Sequence, residues 1–235
     1  MNDLWAAVGA AFSLIAGFDA DLAEIVGLSL RVSMFAVLIA TVIGLPLGAA
    51  LALYRFKGRS GVIILVNALM GLPPVVVGLL VYLMLSRSGP FGVFGLLFTP
   101  GAMIAAQVLL VTPIIAALSR QVIETMWEEY EEQLLSLGVT KHGAALTLLW
   151  DGRFALLTTI LAGFGRASAE VGAVMIVGGN IDHVTRVMTT AIALEVSKGD
   201  LPLALGLGII LVALSVTVNG AAYIIRDMAR RRQGA

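Results

Sequence analysis

No cysteine occurs among the 235 residues. Disulfides, thiolate metal ligation and a cysteine nucleophile are therefore excluded, while the compartment stays open. Charge is scarce as well: Asp, Glu, Lys and Arg make up 13% of the chain, against about one quarter in soluble domains. The 15 basic and 15 acidic residues cancel, so no net charge points to nucleic acid. Histidine occurs twice, as His142 and His183. Neither has neighbours at metal-ligand spacing, and both read as surface residues. No Gly-x-x-x-x-Gly-Lys-Ser/Thr segment is present, so the chain shows no P-loop, and no cofactor or metal is expected on it.

What the chain has is oil: 59% of its residues are hydrophobic. Five runs are long enough to cross a bilayer core as helices, which takes about 20 residues each. They are 29–53, 62–85, 101–119, 154–177 and 201–225. Alternating polar and apolar residues, the mark of a membrane β-barrel, are absent. The sequence therefore predicts an all-α polytopic membrane protein. Leu4–Phe18 is apolar but too short to span, and 1–28 reads as an interfacial N-terminal segment. Residues 29–226 form the membrane domain and 227–235 a basic tail. Ten Lys and Arg residues lie on one side, among them Arg55, Lys57, Arg59, Arg120, Lys141 and Arg153. Four lie on the other: Arg31, Arg87, Arg186 and Lys198. This asymmetry places the N-terminus outside and the C-terminus in the cytoplasm.

Between the third and fourth runs lies a polar loop, 120–153, with Glu128–Asp151 its most polar part. Glu124, Glu128, Glu129, Glu131 and Glu132 crowd its start. Trp127, Tyr130, Leu134 and Leu137 recur at helical spacing, forming an apolar stripe that something must cover. Gly138 suits a left-handed helix end, and Thr140 can cap a second helix from Lys141. The expectation is helix, sharp turn, helix at the membrane surface.

Within the runs, Pro46, Pro73-Pro74 and Pro113 free backbone carbonyls. Each is either a static kink or a hinge, with Pro73-Pro74, flanked by Gly71 and Gly78, favouring the hinge. Arg166 and Glu170 are expected one turn apart near the middle of the fourth run. Charges there cost roughly 2.5–3.5 kcal/mol each to insert, so they face a partner or a watery cavity. The pair either locks the bundle or lines a pathway. Ser168, Thr158, Thr159 and Asn67 are hydroxyl or amide donors for an anion, and equally ordinary interhelical bonds. Gly163 with Gly165, and Gly206 with Gly208, permit close helix packing. The segment Gly178–Asp200 is long and mixed, with Thr189–Val196 able to re-enter or lie on the membrane.

Glu132, Leu137-Gly138 and Thr140 resemble the cytoplasmic loop of ABC importer permeases, with Gln133 and Leu134 where that family has two alanines. Ala169-Glu170-Val171-Gly172-Ala173, Gly178-Gly179-Asn180-Ile181, Thr185-Arg186, Thr189–Ala193 and Ser197–Asp200 look like the permeases of tungstate importers, relatives of molybdate permeases. The resemblance implies a type I importer permease fold and a homodimer. It also implies two ABC ATPase subunits, an extracytoplasmic binding protein and a lipid setting. It assigns Glu132, Leu137, Gly138, Val139 and Thr140 to coupling, and Arg166, Glu170, Pro73, Pro74 and Ser168 to the pathway or gate. The substrate it implies is tungstate, with molybdate or another oxyanion as the alternative. A secondary transporter is the competing class, but no inverted repeat is evident.

Overall fold

The computed structural model describes residues 20–233, with side chains to Ala221 and at Ile224, and only isolated positions before residue 20. The expected interfacial helix at Leu4–Phe18 lies outside the described residues, apart from those positions. The described elements are α1 (Ala20–Leu53), α2 (Arg59–Met70), α3 (Pro74–Leu85), a 3₁₀ turn (Gly92–Phe94), α4 (Pro100–Ser136), α5 (Lys141–Asp151), α6 (Arg153–Ser168), α7 (Gly172–Gly178), α8 (Met188–Lys198) and α9 (Leu201–Gln233). Among the described residues α1, α4 and the first 21 residues of α9 are long and apolar enough to cross a membrane. The α2–α3 and α5–α6 pairs bring the number to five if each broken pair counts as one span.

Two expected runs are not single helices. The run 62–85 breaks at Gly71–Pro73, because Pro73 and Pro74 remove two backbone donors, and Pro74 then starts α3, where no donor is needed. The run 154–177 breaks after Ser168, and α7 starts afresh at Gly172. Pro46 and Pro113, by contrast, lie inside continuous helices. The third run does not end at the loop: α4 continues through Ser119 to Ser136.

The chain forms two compact units. One comprises residues 36–72, 108–167 and the chain from 222. Here α1 meets α4 through Gly44 and Gly48, a small-x-x-x-small pair. A Cβ on Gly48 would come within 2.6 Å of the Ala116 carbonyl oxygen, and one on Gly44 within 2.9 Å of Ile115. Gly163 approaches Val111 and Ile115 in the same way, whereas Gly165 has open space around it. Ala49, Ala52, Leu53, Ile123, Trp127, Ala144, Leu148 and Leu156 form the core beneath α5. Fully burying a side chain such as Ile123 or Leu148 contributes about 1.5–3 kcal/mol.

The other unit comprises residues up to 35, 73–107 and 168–221. In it α3 packs on α7, where a Cβ on Gly78 would come within 2.8 Å of the Ala173 Cα. Met188, Ala191 and Leu207 form a second core with Leu22, Ile25 and Leu203. The Met188 N–H donates to Ser29 Oγ at 2.7 Å, tying the start of α8 to α1.

Gly48→Val should destabilise the chain by at least about 1–3 kcal/mol, because the obstacle is backbone. Gly208→Ala, with nothing within 4 Å, should be neutral or mildly stabilising. Thermal melting in detergent checks both.

Candidate functional site

The polar loop folds as its sequence predicts. After Ser136 the α4 helix closes with paired bonds: Gly138 N–H donates to Leu135 O and Val139 N–H to Leu134 O, each at 3.0 Å. Gly138 adopts φ +71°, the left-handed conformation this closure requires. Val139 and Leu134 pack on the core below. The Thr140 hydroxyl then caps α5 by accepting from Gly143 N–H. At Gly152 the chain bends by 75° into α6.

The apolar stripe divides. Trp127 is buried and Leu134 half-buried against the chain's own α1 and α5, so part of it needs no outside cover. Tyr130 and Leu137 remain exposed. Leu146 and Trp150, one turn apart on α5, are 59% and 68% exposed and form an outward apolar pair. Their i, i+4 spacing was the available signal for this pair. Glu132 is exposed on α4. The Arg153 guanidinium lies over the Trp150 ring, 4.9 Å from its centroid, and donates to the Trp150 carbonyl.

Glu124 is a further residue whose role the sequence reading missed. Its carboxylate takes Arg59 at 2.8 Å and also pairs with Arg120. Arg59 in turn donates through Nε to the Leu51 carbonyl at 2.7 Å and through Nη2 to that of Ala52. The i, i+4 spacing of Arg120 and Glu124 was the legible part; the Arg59 contact was not.

Arg166 and Glu170 are not one turn apart on a continuous helix, because α6 ends at Ser168. Glu170 sits in the break, 3% exposed. Its Oε1 accepts from the Ala173 N–H at 3.0 Å, and its backbone carbonyl accepts from the Thr189 hydroxyl at 2.8 Å. The carboxylate thus serves the first turn of α7, a role an acidic residue near a helix N-terminus favours. Ser168 Oγ is buried without a hydrogen-bond partner among the described residues. Pro73 precedes α3 and Pro74 opens it. Thr158 and Asn67 are exposed and Thr159 is buried.

The segment expected as a long mixed loop, Gly178–Asp200, is largely structured. Thr185 Oγ1 donates to Gly178 O and accepts from Ile181 N–H, and α8 buries Met188, Thr189, Thr190, Ala191 and Glu195. His183 and His142 are exposed, as expected. Asp21, Glu24 and His183 offer ligand atoms within 4.8 Å of one another. They are the candidate cation ligands among the described residues, though all three are exposed, and direct pairing accounts for the geometry: His183 Nδ1 lies 2.9 Å from Glu24 Oε2. That hydrogen bond, helped by the Asp182 charge, raises the His183 pKa above its ordinary 6.5.

A family described as the binding-protein-dependent transport system inner membrane component matches residues 44–233. The chain belongs to this family. It is a multi-pass transport permease. A probable anion ABC transporter permease protein of Haloferax volcanii is 40% identical over 218 residues, covering 91% of this chain and 94% of the relative. The tungstate uptake system permease protein TupB of Peptoclostridium acidaminophilum is 38% identical over 93% of this chain and 96% of its own. TupB of Campylobacter jejuni is 38% identical over 71% of this permease and 70% of the relative.

Glu170→Ala should strip the Ala173 N–H of its acceptor in a buried place and cost about 1–3 kcal/mol, whereas Glu170→Gln keeps an acceptor and should cost less. Melting curves of the two variants give the comparison. The raised His183 pKa means that protonation favours the folded state. Its contribution is complete below the unfolded value near 6.5 and fades as pH rises through the folded value. The permease should therefore lose thermal stability on passing from about pH 6 to pH 8.5, and His183→Gln should flatten that change.

Proposed function

We propose that this permease is the membrane-spanning subunit of an ATP-driven tungstate importer, fed by an extracytoplasmic binding protein. The observation that carries it is the exposed apolar pair Leu146 and Trp150 on α5, with Leu137 also exposed just before the turn that leads into it. A pair of that kind, on a rigid core, suits the groove of a second protein. In an importer of this family that protein is the ATPase, since the permease sequence has no P-loop of its own. The TupB and anion permease likenesses supply the substrate class. Tungstate and molybdate are nearly equal in size and charge, so selection between them falls to the binding protein.

The permease works as a homodimer of five-span chains, with 29–226 as the transmembrane domain, 120–153 as the coupling loop, the N-terminus outside and the basic tail inside. ATP-driven closure of two ATPases draws the two α5 helices together. Leu148, Ile123 and Trp127 make α5, α4 and α1 move as one block, because the core between them has no slack. Glu132, Gly138, Val139 and Thr140 hold the coupling turn in shape. The breaks at Pro73-Pro74 and at Ser168–Glu170 are where the helices give, and with Arg166 they border the path of the oxyanion. The buried Ser168 hydroxyl supports this reading as a donor available to an anion.

Leu146→Ser combined with Trp150→Ala should lower the amount of ATPase recovered with tagged permease by about tenfold or more, as expected for interface anchors. Uptake should fall in parallel while the permease remains folded. Full recovery of ATPase with the double variant would remove α5 from the interface.

A further inference from the structure

The segment between α3 and α4 belongs neither to the coupling loop nor to the helix breaks. Between Arg59 and Arg120 the sequence has a single charged residue, Arg87. It stands at the start of a connection, Ser86–Thr99, that is otherwise apolar or small. The connection turns its large side chains outward: Val93 is 95% exposed and Phe94 69%, with Phe91 and Leu96 also exposed. Its backbone nonetheless closes on itself. Phe91 N–H donates to Met84 O at 2.9 Å, Gly92 to Gly89 O, Phe94 to Phe91 O and Gly95 to Gly92 O. Phe98 N–H donates to Val177 O at 2.9 Å, and the Phe98 ring meets the Tyr82 ring edge-on at 6.2 Å. Gly92 permits this closure, since any Cβ there would strike the Ser86 carbonyl.

A water-facing loop shows the reverse pattern, with polar side chains outward and backbone groups left to solvent. Non-helical backbone can enter a bilayer only where its N–H and C=O groups are satisfied by protein. This connection meets that condition at the N–H groups just named. It also leads into Pro100, the first residue of a membrane-crossing helix, so the chain places it at the bilayer surface. The connection and the end of α3 line a pocket of about 560 Å³. Tyr82, Leu85, Leu97 and Phe98 are its apolar lining, and Ser86 and Arg87 its polar lining. An apolar wall with one cation matches a phospholipid, whose phosphate is anionic and whose chains are not.

We propose that Ser86–Phe98 is a lipid-inserted wedge. Val93 and Phe94 enter the boundary between headgroups and acyl chains, and Arg87 holds the phosphate of an anionic phospholipid. The wedge anchors the junction of α3 and α4 at a fixed depth, as interfacial aromatic and basic residues do.

Because the chain has no cysteine, a fluorophore can be placed on Val93→Cys alone, with Lys141→Cys on α5 as the water-facing reference. Each full-length variant is reconstituted in phosphatidylcholine vesicles with and without phosphatidylglycerol. Quenching by aqueous iodide is compared with quenching by a nitroxide carried on a lipid chain near the headgroup. The wedge predicts strong lipid quenching and shielding from iodide at 93, and the opposite at 141. Equal iodide quenching at both positions would make the segment a water-facing loop and overturn the proposal. So would an absence of both kinds of quenching at 93, since a protein surface would then cover it. Adding Arg87→Gln should leave position 93 shielded from iodide. It should also lower the preference for nitroxide-labelled phosphatidylglycerol over phosphatidylcholine about fivefold. An unchanged preference, or one abolished by inorganic phosphate, would remove the lipid headgroup as the ligand of Arg87.

Discussion

The Glu124 carboxylate, held between Arg59 and Arg120, is the contact that ties α1, α2 and α4 of the permease together. Arg59 simultaneously satisfies the carbonyls of Leu51 and Ala52 at the C-terminal end of α1. One acidic residue on α4 is thereby tied to the end of α1 and the start of α2. Half-buried, charge-assisted contacts of this kind resist screening better than surface pairs. Directly beyond this clamp, α4 carries Trp127 and Leu134 onto the underside of α5. The outward face of α5 is therefore not a loop hung from the membrane; it is the surface of a packed block, and force applied to it reaches α1 and α4.

The second constraint is that a broken helix in an apolar setting must find partners for its freed backbone groups. Two breaks meet it differently. At Gly71–Pro74 two prolines lack the donors that would need partners, and Pro74 opens the next helix. Before α7 the Glu170 carboxylate supplies an acceptor, and the Glu170 carbonyl finds the Thr189 hydroxyl. The intramembrane carboxylate expected from the sequence is thus buried and also accepts a bond from the local backbone.

Much of this was legible in the residues. The apolar runs, the glycine helix end at Gly138 and the Thr140 cap follow from local chemistry, which acts over a few residues and leaves its mark there. The helix breaks were harder. Pro73-Pro74 signalled one, but Ala169–Val171 contains neither proline nor a stop signal, and the bond from the Ala173 N–H to Glu170, three residues away, is what marks the restart. Arg59 with Glu124, and His183 with Glu24, are 65 and 159 residues apart in sequence, and no periodicity reports such contacts. Gly44 and Gly48 carried a spacing that marks close helix contact, hidden by the proline between them.

We infer that this permease moves an oxyanion only when an ATPase bound to α5 hydrolyses ATP. The most direct measurement is the accumulation of labelled tungstate in proteoliposomes containing the permease, its ATPase and its binding protein. Accumulation is expected only with ATP on the ATPase side and binding protein on the other, and none from the permease alone under an imposed ion gradient. Gradient-driven uptake by the permease alone would contradict it and return the chain to the secondary transporters.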